Sequence, residues 1–174
     1  MTGCKNPDFI RLLRDVKIIL DTHECPEPRI ITTDRDLAAL NALDEVFPHI
    51  DHLLCQWHVR KDVLTYARQS GGDWKMLPGD VTNDPRQRID APLTIQFMAA
   101  FDKAMYARSE ADFEVARDHV NTVYPTMKAY LEKEWWPYRS RFVTAWIDAI
   151  MHFGVVSSYT FTFRFPLFIW FARF

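Results

Sequence analysis

Residues 28–59, PRIITTDRDLAALNALDEVFPHIDHLLCQWHV, constrain this chain more than any other stretch. Ile30, Ile31, Thr32 and Thr33 form a β-branched run, as a short buried strand requires. Asp34 follows, and Leu37, Leu40, Leu43 and Phe47 then recur every three or four residues, which predicts a helix over 35–46 ended by Pro48. Residues 50–54 read as a second strand, Cys55 to His58 as a turn, and 59–68 as a second helix. Two strand-to-helix units in so short a span predict an α/β layer. In open sheets of that kind chemistry gathers at the carboxyl ends of the strands. Asp34 and the Cys55/His58 pair occupy that position in the pattern.

Asp34 has two readings. Aspartate is among the preferred helix N-caps, so its carboxylate would accept a backbone N–H at the start of the following helix. It would equally serve as a ligand for Mg²⁺, which favours one or two carboxylates plus substrate oxygens. Asp36 is better placed to favour the helix dipole than to reach a metal. Cys55 and His58, with His49 and His52 nearby, invite a zinc reading. A structural zinc site needs four ligands in characteristic pairs, however, and these residues span a strand and a turn. The alternative is a buried cysteine at a strand end with a histidine capping or lining the site.

TTDRDLAALNAL, then VFP, then HLLCQWHVRKDV resembles the second half of the catalytic domain of Mutator-like element (MULE) transposases, particularly fungal ones. The resemblance extends through the helical region to Trp146 and His152-Phe153-Gly154, and so covers most of residues 7–158. It implies an α/β chain: a partial ribonuclease H-like fold, the second half of the catalytic core, followed by an all-α insertion. It implies a nuclear DNA-binding protein of DDE type, in which two Asp and one Glu hold Mg²⁺ or Mn²⁺ for DNA cleavage and strand transfer. Asp34 matches the second catalytic aspartate and would be a metal ligand. Cys55 and His58 match a Cys-or-Asp, x, x, His motif that supports the active site.

The same resemblance implies a chain truncated at both ends. The family's first aspartate lies on a strand before the helix that here begins near Pro7. Asp8, Asp15, Asp21, Glu24 and Glu27 fall on a helix or loop. The family's glutamate lies beyond the HFG segment, yet no acid follows Asp148. One carboxylate cannot clamp two metals, so the expectation is a catalytically inactive protein that binds no metal tightly. The alternative is a domesticated, non-catalytic regulator that binds DNA or a protein partner.

Composition limits the partners. A net charge of −2 and the absence of a basic block predict weak DNA binding or none, since phosphate contacts need clustered Lys and Arg; a protein partner or self-association is compatible. Hydrophobic residues at 48% exclude a disordered chain. Three scattered cysteines imply no disulfide framework, and a charged N-terminus no signal peptide, so the expected location is intracellular.

The remainder reads as four segments. Residues 1–70 hold the half-core, opened by a helix from Asn6-Pro7 with a stripe of Phe9, Leu12, Leu13, Val16, Ile19 and Leu20. Residues 71–92 lie in a Gly-, Pro- and Asp-rich linker that starts near Gln69. Residues 93–158 are helical by period. Leu93, Phe97, Phe101, Ala104 and Met105 mark one helix; Phe113, Ala116, Val120 and Val123 the next, with Ser109 and Asp112 in capping-box positions. Met127, Tyr130 and Leu131 mark a short helix, and Phe142, Trp146 and Ile150 a last one. Trp135, Trp136 and Trp146 would be core residues more often than base-stacking ones. Arg60, Lys61 and Arg68 read as a solvated helix face.

Residues 159–174 differ in composition: eight of sixteen are aromatic and none is acidic. Arg164 and Arg173 argue against a membrane span, which needs about twenty apolar residues. Alternation over 159–165 would suit a strand, and the segment reads as a non-native continuation of the chain.

Overall fold

The structure, a computed structural model, describes residues 6–71, 75–76, 88–89, 92–150 and 167–170. In chain order the elements are α1 (Asn6–Thr22), β1 (Ile30–Thr33), α2 (Leu37–Val46), β2 (Asp51–Leu54), α3 (Gln56–Gly71), β3 (Lys75–Met76), β4 (Arg88–Ile89), α4 (Pro92–Met105), α5 (Glu110–Val123), α6 (Lys128–Glu134), α7 (Thr144–Ile147) and β5 (Leu167–Trp170). Two 3₁₀ turns, Pro125–Met127 and Trp136–Arg141, flank α6. None of the described helices is long and apolar enough to cross a membrane.

The elements fall into two compact units. One holds α1, β1, α2, β2, the first turn of α3 and β5; the other holds the rest of α3 through α7.

In the first unit β1 and β2 are parallel, with Ile30 opposite Asp51 and Thr33 opposite Leu54. Parallel neighbours need a crossover, and α2 supplies it. Ile31 meets α1 and α2 in one apolar cluster with Phe9, Leu13, Ala39, Leu43, Val46 and Phe47. The core stripe of α1 is narrower than its apolar residues suggest. Phe9, Leu13 and Leu20 are buried, whereas Leu12, Ile18 and Ile19 are exposed. Helix α1 ends in a Schellman-type turn, in which the Cys25 N–H reaches the Leu20 carbonyl (2.9 Å) and the Glu24 N–H that of Asp21 (3.2 Å). Glu24 takes the left-handed position, at φ 52°, where glycine is the usual residue.

The other edge of β1 carries β5, antiparallel, with Ile30 opposite Trp170 and Thr33 opposite Leu167. The sheet order is therefore β2-β1-β5, and the strand of the aromatic tail lies after Pro166. The alternating segment 159–165, like His152-Phe153-Gly154, lies outside the described residues.

The second unit is built on aromatic packing. Phe97, Phe101, Phe113, Trp135, Trp136 and Phe142 are all nearly solvent-free. Trp136 stacks on Phe101 with ring centroids 5.6 Å apart and meets Phe113 edge-on at 5.3 Å. Ser109 caps α5 by accepting the Asp112 N–H at 3.1 Å, and its hydroxyl donates to the Asp112 carboxylate at 2.7 Å.

Four boundaries differ from the sequence expectation. Helix α2 begins at Leu37, not residue 35, and Leu37 is exposed. Strand β2 begins at Asp51 rather than residue 50. Helix α3 runs from Gln56 through Gly71, so it takes in both the expected turn and the start of the expected linker; β3 and β4 then pair antiparallel within that linker. The last expected helix reduces to the single turn of α7 behind a 3₁₀ turn. Pro137 removes an amide donor there, and the bulky Trp135, Trp136 and Phe142 fold inward instead of continuing one helix face.

Candidate functional site

The carboxyl ends of β1 and β2 lie side by side. One more ladder bond continues past the strands: the Cys55 N–H donates to the Thr33 carbonyl at 2.8 Å. Asp34 therefore leaves β1 beside the point where Cys55 leaves β2. The backbone alone fixes this, because parallel register with Thr33 opposite Leu54 puts the next residue of each strand at the same level.

Asp34 is half-buried. It does not cap α2. That role belongs to Asp36, whose Oδ1 accepts the Ala38 N–H at 2.8 Å and the Ala39 N–H at 3.1 Å, with extended backbone angles of φ −93° and ψ 115°. The capping reading of Asp34 is thus corrected: chain reversal from strand to helix takes three residues, and the third supplies the cap.

Cys55 is buried at 2% exposure. Its carbonyl accepts the Val59 N–H at 3.0 Å, which makes it the residue at the entrance of α3. His58, expected in a turn, stands on the first turn of that helix. Its ring meets Trp57 edge-on, with centroids 4.7 Å apart and planes at 80°. The His58 Nδ1 and the Thr33 Oγ1 are shielded from solvent and accept or donate no hydrogen bond among the described residues.

The four candidate metal residues are dispersed. His52, on β2, turns its Nδ1 to the Asp44 carboxylate of α2 at 2.9 Å, and His49 is exposed. Among the described residues no group of three or more His, Cys, Asp and Glu side chains is arranged to hold a metal. At the strand ends the donors are the Asp34 carboxylate, a threonine hydroxyl, a thiol and an imidazole, while Asp36 is committed to its cap. Mg²⁺ favours oxygen donors, and a two-metal centre needs several carboxylates. The described donor set does not fit that centre.

Elsewhere, side chains read as bland or basic are tied into the fold. Arg60, expected as solvated, makes two hydrogen bonds to Asp102 at 2.9 and 3.2 Å, which raise its pKa. Trp135 and Trp136 are core residues. Arg139 donates to the Trp136 carbonyl at 3.1 Å and lies 5.6 Å from the Trp146 ring centroid.

Sequence reasoning passed over two residues here. Thr33 was legible only as part of a strand, since nothing in a β-branched run distinguishes a hydroxyl at its carboxyl end. Trp57 was hidden inside an assumed turn; its signal was a tryptophan between two motif residues.

No curated protein and no solved structure matches the chain. The family model of the MULE transposase domain matches residues 1–62, the segment that carries Asp34, Cys55 and His58.

Proposed function

We propose that the chain derives from a DDE-type DNA transposase, with residues 1–70 as the later half of a ribonuclease H-like core, and that these 174 residues do not themselves cut or join DNA. Asp34 is the descendant of the second catalytic aspartate. Cys55 and His58 support its position from the entrance of α3. Intact relatives use Mg²⁺ or Mn²⁺ and act on transposon DNA in the nucleus; this chain holds neither metal tightly and binds DNA weakly, without sequence preference.

The observation that carries the reading is the position of Asp34 where β1 ends, beside Cys55 at the end of the parallel neighbour β2. A half-buried carboxylate at the carboxyl end of a parallel strand, with Asp36 doing the capping of α2, supports that reading, since chemistry in open α/β sheets gathers at such strand ends. The proposed inactivity rests on the donor set at these strand ends, which among the described residues offers one carboxylate not committed to capping where the parent chemistry uses three.

The test is direct. Purified protein incubated with duplex DNA in Mg²⁺ or Mn²⁺ is expected to show no strand cleavage and no joining. Cleavage that disappears in Asp34→Ala would overturn the inactive reading. Salt-resistant, sequence-selective retardation of DNA in a gel would favour a domesticated regulator instead, because non-specific phosphate binding falls steeply with salt.

A further inference from the structure

A groove of about 500 Å³ runs beside α1, lined by residues of that helix and by Glu45 of α2. Its apolar walls are Pro7 and Ile10 near the start of α1 and, about two turns further on, Ile18. Ile18 is 61% exposed, so it projects where the earlier end of the groove recedes. The charged lining consists of Arg11, Arg14, Asp15 and Glu45, two of each sign. Arg14 is committed, with its Nη2 at 2.8 Å from the Glu45 carboxylate. Arg11 and Asp15 are exposed, and among the described residues neither makes a side-chain hydrogen bond or ion pair. Pro7, Arg11, Arg14 and Ile18 follow at spacings of four, three and four residues, which sets them in one line along the helix.

We propose that this groove is the contact face of a homodimer, in which α1 of a second copy lies antiparallel along it about a two-fold axis. A face that packs on itself must carry both signs of charge and both a projection and a recess to receive it, and this one does. Antiparallel helices centred at the level of Leu13 set Arg11 level with the partner's Asp15, and Asp15 level with the partner's Arg11. The same centring carries Ile18 to the level between the partner's Pro7 and the partner's Ile10, where the groove is apolar. A slide of one turn undoes both matches. An interface built mainly on one helix of 17 residues lies at the small end for specific association, so the dimer is weak and forms as concentration rises. The inference does not depend on the transposase descent argued above.

The test is sedimentation equilibrium of the full 174-residue chain at low salt, where exposed charges are least screened. The mass is expected to rise from monomer toward dimer with loading concentration. Arg11→Glu and Asp15→Arg should each weaken association about tenfold, because each turns two attractions into repulsions. Both positions are exposed, so the helical signal should stay unchanged in either variant. An equimolar mixture of the two is expected to regain the association, since each supplies the charge that the other lacks. Ile18→Asp should abolish it, alone and in mixtures. A parent chain that stays monomeric at every concentration overturns the inference, and so does a mixture that associates no better than its components. If the charge variants associate like the parent, the contact lies on another surface, such as the aromatic tail, and the inference is wrong.

Discussion

The two units spend their burial on different groups. Among the described residues, the buried polar side chains are Thr32, Thr33, His52, Gln56 and Thr94. Four of these five lie in the unit that contains Asp34, and only Thr94 lies in the other. The second unit buries rings: Phe97, Phe101, Phe113, Trp135, Trp136 and Phe142. Polar burial costs free energy unless each group finds a partner, while aromatic burial is favourable in any orientation that fills space. The contrast separates a unit whose strand ends bury polar groups from one whose core is built of rings.

The sharpest way to break that contrast is Trp136→Ala. The ring touches Phe101, Phe113 and Phe142, so its removal is expected to cost about 3–5 kcal/mol, read as a lower denaturant midpoint in the helical signal. A loss under about 1 kcal/mol would mean that the aromatic residues do not form one continuous core.

In the first unit, Asp36→Ala should cost about 1 kcal/mol by removing the α2 cap, whose two N–H bonds from Ala38 and Ala39 it accepts. An unchanged midpoint in thermal melts would show that Asp36 is not the residue that caps α2. Glu24→Gly sharpens the contrast from the other side. Relief of the left-handed backbone at φ 52° is expected to raise stability by about 0.5 kcal/mol, and no gain would show that the turn relaxes around the glutamate.

The smallest effect is in pH. Burial, helped by the neighbouring Asp102 carboxylate, pushes the Tyr106 phenol above its ordinary value of 10.0. The folded state then holds a proton that the unfolded state releases. This contribution is complete below the unfolded value and is lost as pH rises through the folded one. Tyr106→Phe should therefore soften the loss of melting temperature between about pH 8 and about pH 11. An unchanged slope would assign the alkaline loss to other groups.

Much of the first unit was legible because its signals are local. The β-branched run at Ile30–Thr33 coincides with β1, and the Ser109/Asp112 spacing located the start of α5. What escaped depends on groups distant in sequence or on backbone counts that side chains do not announce. Two aspartates flank Arg35, and either suits a cap; only the length of the reversal selects Asp36. The onset of α3 at Gln56 carries no Ser, Thr, Asn or Asp before it, so the helix began unannounced behind Cys55. The β3–β4 pairing involves two residues on each strand, too few for alternation to appear. At Phe142 and Trp146 the period was helical, yet packing among neighbouring rings prevailed over it.

The bond from the Cys55 N–H to the Thr33 carbonyl has an evolutionary reading. It is made by main-chain atoms alone, so substitution of either side chain leaves its donor and acceptor in place. A side chain at either strand end can change in one codon, but the spacing between the two strand ends changes only if the parallel ladder itself is undone. The geometry of such a site is therefore more durable than its chemistry.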